Sequence, residues 1–301
     1  MDHQRELRAR EIAAESMRSA GPRHGFFGGT LESIRDVWAR RELLDQLIRR
    51  EIKSRYKDSA LGFFWSLAKP LAMLFVYYVA IGKFLRAAAS IPDFAIFIFT
   101  GLTAWQLFSD IVIIGTGSIV GNAGLIKKVY VPREVFPLSV VGSALFNFSI
   151  QLGVLIAATA ALGHFPTGGR WLYFLLALAV LVPFSTAFAL LLSATNVYLR
   201  DVQYLVEIML MILMWASPIV YSWKLVQGAI GGTWLEQAYL CNPMTIVVLG
   251  FQRAFWVSGD GEPVPPNLSL RLWIVLVLSI VLLWFSQRVF ARLQSNFAQE
   301  L

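Results

Sequence analysis

The chain has 301 residues, of which 57% are hydrophobic and only 15% are charged. A soluble domain carries about 25% charged residues, so this composition excludes an ordinary soluble protein. The formal net charge of +7 alone would suit a nucleic-acid-binding protein, but 13 of the 26 Lys and Arg residues precede Asp58. A basic block beside an apolar stretch is typical of a membrane-facing cytoplasmic segment, so we expect no nucleic-acid partner.

Six apolar stretches are long enough to cross a bilayer as helices, which takes roughly 20 residues. They are Leu61–Phe84, Phe94–Val120, Val135–Leu162, Trp171–Tyr198, Val202–Trp223 and Leu272–Phe290. The pattern predicts an all-α integral membrane protein with a six-helix transmembrane domain at residues 58–301. With both termini in the cytoplasm, the inner segments hold 20 Lys and Arg residues and the outer segments hold 6, as the positive-inside rule requires.

An amphipathic helix is predicted ahead of the first span, at residues 31–57. Its apolar residues return to one helical face, and most of its charges lie off that face. Such a helix lies at the inner membrane surface. Two roles stay open at this point: a membrane anchor only, or an interface that also rests on a cytoplasmic partner. Residues 1–30, which end in a Gly-rich sequence, are expected to be flexible.

The loop at residues 121–134 is longer than a simple connector needs to be. It carries an apolar stripe beside two cations: Leu125, Ile126, Lys127, Lys128 and Val129. This pattern predicts a short helix that stops before Pro132, because the residue ahead of a proline disfavours helix.

The segment 224–270 is the longest connection on the predicted outer side. Within it residues 239–255 are apolar, but the stretch is interrupted at Asn242–Pro243 and carries Arg253. A full crossing is therefore not expected. We expect an outer re-entrant hairpin of two short helices, because non-helical backbone at membrane depth must be buried in protein or line a cavity.

Ionisable residues are scarce within the spans: Lys69, Asp110 and Glu207, one to a span. A charge at the bilayer centre costs about 2.5–3.5 kcal/mol on insertion scales, so each is a candidate for function. Lys69 either extends toward the cytoplasm or meets an anionic headgroup. Asp110 is either a buried hydrogen-bonded residue or part of the translocation path or a subunit interface. Glu207 fits an ion pair with Arg200.

Aromatic residues make up 14% of the chain, and most lie near span ends, as an interfacial belt requires. Trp105, Phe108 and Trp215 lie farther from the ends. Because flat apolar rings stack on the C–H faces of sugars, these three are candidates for a surface that lines a glycan path.

Catalytic and metal chemistry have little support in the sequence. The three histidines, His3, His24 and His164, lie outside every span, and Cys241 is the single cysteine. We therefore predict no catalytic residue and no metal site. No Gly-x-x-x-x-Gly-Lys-Ser/Thr loop is present to hold nucleotide phosphates. We expect no cofactor in this chain, and expect ATP and Mg to be bound by a partner subunit.

Four segments taken together resemble the permease subunit of polysaccharide-exporting ABC transporters. They are residues 55–65 with Pro70–Leu71, then Leu199–Arg200–Asp201, then Ser217–Pro218–Ile219–Val220–Tyr221, then Asn242–Pro243–Met244–Thr245 followed by Arg253. This family exports O-antigen, capsule, teichoic acid and galactan precursors. The likeness runs from about Leu31 to the C-terminus. Lys69 departs from it, since an apolar or amide residue is usual there.

The resemblance implies a homodimer around a central path in the bacterial cytoplasmic membrane, surrounded by lipids, with two ATPase subunits docked below. Segment 121–134 takes the place of the ATPase-coupling helix, residues 31–57 that of the interface helix, and segment 224–270 that of the outer gate. The outer-gate residues are Pro218, Tyr221, Asn242, Pro243 and Arg253. The implied substrate is a polyprenyl-diphosphate-linked glycan.

Two alternatives stay open. A permease of the same architecture that exports drugs or small lipids would share this topology. A membrane enzyme of lipid-linked sugar metabolism would need grouped carboxylates, whereas Asp58, Asp110 and Glu207 are scattered along the chain.

Overall fold

The computed structural model describes residues 28–56, 64–84, 86–128 and 131–301, and its regular elements are all helices. The α-helices are α1 (Gly28–Ala39), α2 (Arg41–Tyr56), α3 (Phe64–Tyr77), α4 (Phe94–Gly121), α5 (Ala123–Ile126), α6 (Val135–Ala161), α7 (Arg170–Tyr198), α8 (Val202–Trp215), α9 (Trp223–Ile230), α10 (Trp234–Leu240), α11 (Pro243–Phe255), α12 (Leu268–Leu293) and α13 (Phe297–Glu300). A π-helix, Tyr78–Phe84, continues α3, and 3-10 helices lie at Ala87–Ala89, Val257–Gly259 and Gln294–Asn296. The all-α prediction is confirmed for these residues.

Four helices are long and apolar enough to cross a membrane: α4, α6, α7 and α12 with its extension to Asn296. They coincide with four of the six predicted spans to within a few residues. The apolar helices at residues 70–84 and in α8 are shorter. Six crossings, and the side on which the termini lie, therefore stay predictions.

The fifth predicted span is wrong at its outer end. It was expected to reach Trp223, but α8 ends at Trp215 after 14 residues. Pro218 follows closely, and proline both lacks an N–H donor and disfavours helix in the residue before it. At 1.5 Å per residue α8 is about 21 Å long, which is less than the ~30 Å of a hydrocarbon core.

Helix α4 forms the centre of the molecule. In its most apolar 18-residue stretch 89% is buried inside the molecule, whereas only 22% of the corresponding stretch of α12 is buried. It packs against α6, α7 and α11, which explains why its sequence is apolar on every side. At Gly115 a Cβ atom would lie 2.6 Å from Ala189 Cβ on α7, so the glycine permits the closest approach of these two helices.

The N-terminal interface helix is divided in two. A turn at Arg40 separates α1 from α2, where one continuous helix was expected. Helix α2 packs against α6, and a Cβ at Gly142 would lie 2.5 Å from Ile48 Cδ1. Helix α1 begins at Gly28, inside the segment expected to be flexible. The rest of that prediction, residues 1–27, lies outside the described residues.

The bundle has two chemically different ends. The end that carries Lys127, Lys128, Arg133 and Arg288 is called the basic end below. The opposite end, which carries α9, α10 and α11 with their loops, is called the distal end. These two names describe the chain itself and assign no side of a membrane.

Candidate functional site

At the distal end α8 and α9 are joined by a non-helical connector, residues 216–222. Its middle is buried, so its carbonyl oxygens need donors from the protein. Two side chains of the α11 segment supply them. Asn242 donates from Nδ2 to the oxygen of Ala216 at 3.1 Å, and Gln252 donates from Nε2 to the oxygen of Pro218 at 2.7 Å. Side chains thus replace the bonds that a continued helix would make.

Asn242 has a second role at the start of α11. Its Oδ1 accepts a hydrogen bond from the Met244 N–H at 3.0 Å, which caps the helix, and Pro243 occupies the first helical turn. The predicted break at Asn242–Pro243 is confirmed, with α10 on one side and α11 on the other. Whether these helices dip into a membrane stays a prediction.

The connector also presses against the central helix. At Gly101 of α4 a Cβ would lie 3.1 Å from Ile219 Cγ2 and 3.2 Å from Ile219 Cα, so a larger residue would displace the connector. The sequence interpretation missed both Gly101 and Gln252. The only signal at either position was a small or polar residue on an otherwise apolar helix.

A pair of tyrosines connects the connector to α10. Tyr221 donates from its hydroxyl to the Trp215 carbonyl oxygen at 2.6 Å, and the hydroxyls of Tyr221 and Tyr239 lie 3.1 Å apart. The rings of Trp223 and Tyr239 are 6.1 Å apart. Four predicted outer-gate residues therefore lie in one hydrogen-bonded region. They are Pro218, Tyr221, Asn242 and Pro243.

The fifth, Arg253, lies in a separate ionic cluster. Its guanidinium contacts Asp260 Oδ1 at 3.0 Å, and Arg170 both pairs with Asp260 and donates to the Arg253 carbonyl oxygen at 2.8 Å. These contacts fasten the end of α11 to the start of α7. Arg253 thus acts in the structure as a brace between helices.

A second polar cluster joins three distal loops. Asp93 Oδ2 lies 2.6 Å from His164 Nδ1, and the Ser258 hydroxyl contacts both residues. In a catalytic triad serine and carboxylate bond opposite ring nitrogens, whereas here both approach Nδ1. The cluster instead has contacts that hold the three loops together. Within the described residues no group of three or more His, Cys, Asp and Glu could hold a metal ion.

Two of the aromatic path candidates are core residues. Trp105 is 5% exposed and Phe108 is 2% exposed. The Phe108 ring stacks on Phe184 with centroids 5.6 Å apart, and the same distance separates it from Trp105. Both rings are enclosed by the chain's own helices, and their role as glycan-lining residues stays a prediction. Close packing of α4 against α7 is the physical reason for this enclosure.

The charged path candidates differ in what the structure describes. Asp110 is half-buried and accepts a hydrogen bond from Gln106 Nε2 at 2.7 Å, in agreement with the hydrogen-bonded alternative. The side chain of Lys69 lies outside the described residues. Trp215, the third aromatic candidate, is 54% exposed at the end of α8.

Helix α8 exposes most of its circumference. Only Val206 and Leu210 are buried, against the central helix α4. The large exposed side chains are Tyr204, Leu205, Ile208, Met209, Met211, Ile212 and Trp215. Glu207 is exposed among them, near the middle of the helix.

The predicted coupling segment is helical only at α5, and Val129 lies outside the described residues. Lys127 and Lys128 are exposed at the basic end, as expected for residues that meet a partner. Ile126 is buried in a small core with Leu47 of α2, and Leu125 packs against that core. Leu125 and Ile126 therefore face the chain's own interior, and the two lysines form the accessible part.

Comparison with known proteins assigns the fold to a family. Residues 42–256, about 71% of the chain, match the family described as ABC-2 type transporter. The chain belongs to this ABC-2 type transporter family. It is 31% identical over 272 residues to an O-antigen export system permease protein of Myxococcus xanthus, which covers 89% of this chain and 98% of that protein.

Other relatives of this ABC-2 type transporter carry related names. An O-antigen export system permease protein of Klebsiella pneumoniae is 27% identical over 86% of this chain and 95% of its own length. A capsule polysaccharide export inner-membrane protein of Neisseria meningitidis is 29% identical over 51% of this chain and 58% of its own length. The family resemblance predicted from the sequence is confirmed.

The family match places the connector and both of its donors inside the shared region. That region begins in α2 and ends just after α11, so it includes the connector, Asn242 and Gln252. Helix α12 lies beyond it and packs against α7 and α11.

One residue at the basic end was missed by sequence interpretation. Glu134, just ahead of α6, is 6% exposed. It accepts hydrogen bonds from the Ser33 hydroxyl of α1 and, at 3.0 Å, from Gln287 Nε2 of α12. Burial raises the pKa of the Glu134 carboxyl above its usual range, although these two hydrogen bonds and the nearby Arg288 oppose the shift. The Glu134 carboxyl thus joins α1, the start of α6 and α12 at the basic end. In this ABC-2 type transporter we expect a partner subunit to dock at that end.

Proposed function

We propose that this chain is the membrane permease subunit of an ABC transporter that exports a cell-surface polysaccharide. The observation that carries the proposal is the match over 98% of the length of an O-antigen export system permease. A match of that extent leaves the relative with no further domain to account for a different activity. The capsule-export relative of Neisseria meningitidis supports a polysaccharide rather than a drug or small lipid as the cargo.

The exposed face of α8 supports a homodimer. Glu207 is exposed on a helix that is otherwise apolar, and a charge facing lipid costs about 2.5–3.5 kcal/mol. A second copy packed around a polar path removes that cost. We propose that α8 faces the partner copy and that Trp215 and Tyr204 belong to the walls of the path.

Energy for export comes, in this proposal, from a separate ATPase. The sequence holds no phosphate-binding loop, so ATP and Mg would be bound by two partner subunits at the basic end. Lys127 and Lys128 would meet those subunits. ATP binding would push on this end and shift the helices against one another.

The cargo is proposed to be a polyprenyl-diphosphate-linked glycan. A long polar chain does not partition into hydrocarbon, so it requires a walled path from one side of the membrane to the other. The lipid anchor would remain in the bilayer while the glycan passes along the dimer interface. The N-terminus and C-terminus would lie in the cytoplasm.

The test is deletion of the gene in its native cell, followed by complementation. We expect surface polysaccharide to disappear and lipid-linked glycan to accumulate on the cytoplasmic side, as measured by immunoblot of intact cells and of membrane extracts. Complementation should restore both. Unchanged surface polysaccharide together with increased drug sensitivity would contradict the proposal and favour a drug exporter.

A further inference from the structure

A polar cavity of about 380 Å³ opens at the basic end between α2, α4, α6 and α8. More than half of its lining residues are polar or charged. The polar side chains are those of Arg50, Glu51, Ser118, Asn122, Ser139 and Gln203. Binding sites for small molecules have volumes of ~300–1,000 Å³, so this cavity is large enough for one.

The donors in the wall are held in place by hydrogen bonds. Arg50 Nη2 donates to Asn122 Oδ1 at 2.5 Å, and Asn122 Nδ2 donates to the Ser118 carbonyl oxygen at 2.8 Å. A guanidinium has five N–H donors, and the bond to Asn122 uses one of them. Arg50 is exposed, so its other donors are accessible from the cavity mouth.

Two oxygen atoms of the wall lack a partner. Ser118 Oγ and Gln203 Oε1 are buried and make no hydrogen bond with any residue that the structure describes. The Ser118 residue is 6% exposed, so bulk water does not compensate it. Unpaired buried polar atoms are costly.

We propose that this cavity is the entry subsite for a saccharide unit of the exported glycan, a proposal that rests on the function proposed above. Arg50 and Glu51 have opposite charges, so the wall has no excess positive charge with which to hold a diphosphate. Sugar hydroxyls donate to carboxylate, hydroxyl and amide oxygens and accept from guanidinium and amide N–H groups, which are the groups present here.

The composition of the cavity wall also fits a ligand that binds weakly and is then released along the path. The described lining residues include no aromatic ring on which a sugar could stack. Gly117 and Gly121, about one helical turn apart on α4, leave part of the wall without side chains. A saccharide bound by a few hydrogen bonds is retained weakly, which suits a repeating chain passing through.

Photo-crosslinking in cells that assemble the glycan tests this directly. Benzoylphenylalanine is placed at Ile114 in the cavity wall, or at Leu175, which is 57% exposed on α7 and serves as the control. After irradiation the full-length protein is purified and its adducts are identified by mass spectrometry. We expect carbohydrate on the Ile114 variant and none on the Leu175 variant. Adducts of polyprenyl phosphate without sugar, carbohydrate at both positions, or none at Ile114 while export continues would each overturn the proposal.

Filling the cavity provides the second measurement. A Cβ at Gly121 meets nothing within 4 Å, so Gly121→Leu projects into open space without a clash, and Gly153→Leu on α6 is the matched control. In the Ile114 background Gly121→Leu should lower the carbohydrate adduct several-fold, because the added side chain occupies volume that the saccharide needs, and Gly153→Leu should not. Equal adducts in both variants would overturn the subsite. If the amount of surface glycan does not depend on the gene, the proposed function itself is refuted.

Discussion

The side-chain amide of Gln252 on α11 donates a hydrogen bond to the carbonyl oxygen of Pro218, 34 residues earlier in the chain. Gln252 is 4% exposed, so no water replaces this bond when it is lost. The connector between α8 and α9 is therefore fixed by a helix that follows it in sequence. Movement of α11 must move the connector with it.

Gln252→Leu should destabilise the protein by about 1–2 kcal/mol, because the Pro218 carbonyl becomes a buried acceptor without a donor. Unfolding followed by tryptophan fluorescence in detergent measures the change. The matched control is Gln227→Leu, an exposed position on α9, which should have no measurable effect. Equal midpoints for the two variants would show that the Pro218 carbonyl finds another donor.

Asn242 allows its two roles to be separated. Asn242→Asp keeps the oxygen that caps α11 but loses the Nδ2 donor to Ala216, whereas Asn242→Ala loses both. We expect Asn242→Ala to be less stable than Asn242→Asp by roughly 0.5–2 kcal/mol, the usual range for an N-cap. Thermal unfolding of the purified variants measures the order. Equal stability of the two variants would mean that the tie to the connector, which both of them lose, and not the cap, dominates.

Glu134 should make stability depend on pH. Because burial raises its pKa in the folded protein above the unfolded value of 4.5, its favourable contribution is complete below that value and is lost as pH rises through the raised pKa. Glu134→Gln has no charge to bury, so it should match the wild type near pH 4 and become more stable than the wild type toward neutral pH. Unfolding midpoints from pH 4 to 8 test this. A constant deficit of the variant at every pH would contradict it.

Lys127 and Lys128 are the exposed residues of the coupling segment, so reversing both charges to Glu should abolish export while leaving the unfolding midpoint unchanged. Surface glycan and copurification of the ATPase are the two readouts. Lys83→Glu, an exposed position outside the coupling and outer-gate segments, is the control and should export normally. Normal export by the double variant would show that this segment is not the coupling element.

The distal segment should be accessible from outside the cell at both ends. Gly261→Cys meets open space, and Thr233→Cys avoids the positive φ of Gly232. A membrane-impermeant maleimide should label both in intact cells in a Cys241→Ala background, while Gly124→Cys at the basic end should react only after lysis. Opposite accessibility of positions 233 and 261 would mean that α10 and α11 cross the membrane.

Sequence patterns predicted the elements whose signal is local. Apolar length identified α4, α6, α7 and α12, and the Asn242–Pro243 pair identified a helix boundary, because capping and proline chemistry act within a few residues. The end of α8 was misplaced, since apolar residues continue through Ile219 and Val220 after the helix has stopped.

Contacts between distant segments were not predictable in the same way. Nothing near Gln252 in sequence indicates that it bonds Pro218, and nothing near Phe108 indicates that its ring stacks on Phe184 of α7. An apolar aromatic residue looks the same whether it faces lipid, cargo or a neighbouring helix. Glu134 was overlooked for a related reason: a carboxylate at the end of a loop gives no sign of being enclosed by two other helices.

The enclosure of α4 has a mechanical consequence. A helix with Gly115 seated against Ala189 and Gly101 seated against Ile219 has no clearance for sideways displacement. Helix α8 is held more loosely, because only its Val206 and Leu210 are buried. A push delivered at the basic end would therefore leave α4 stationary as a pivot and swing α8 about it, so that the width of any passage between two copies would be set by the angle of α8.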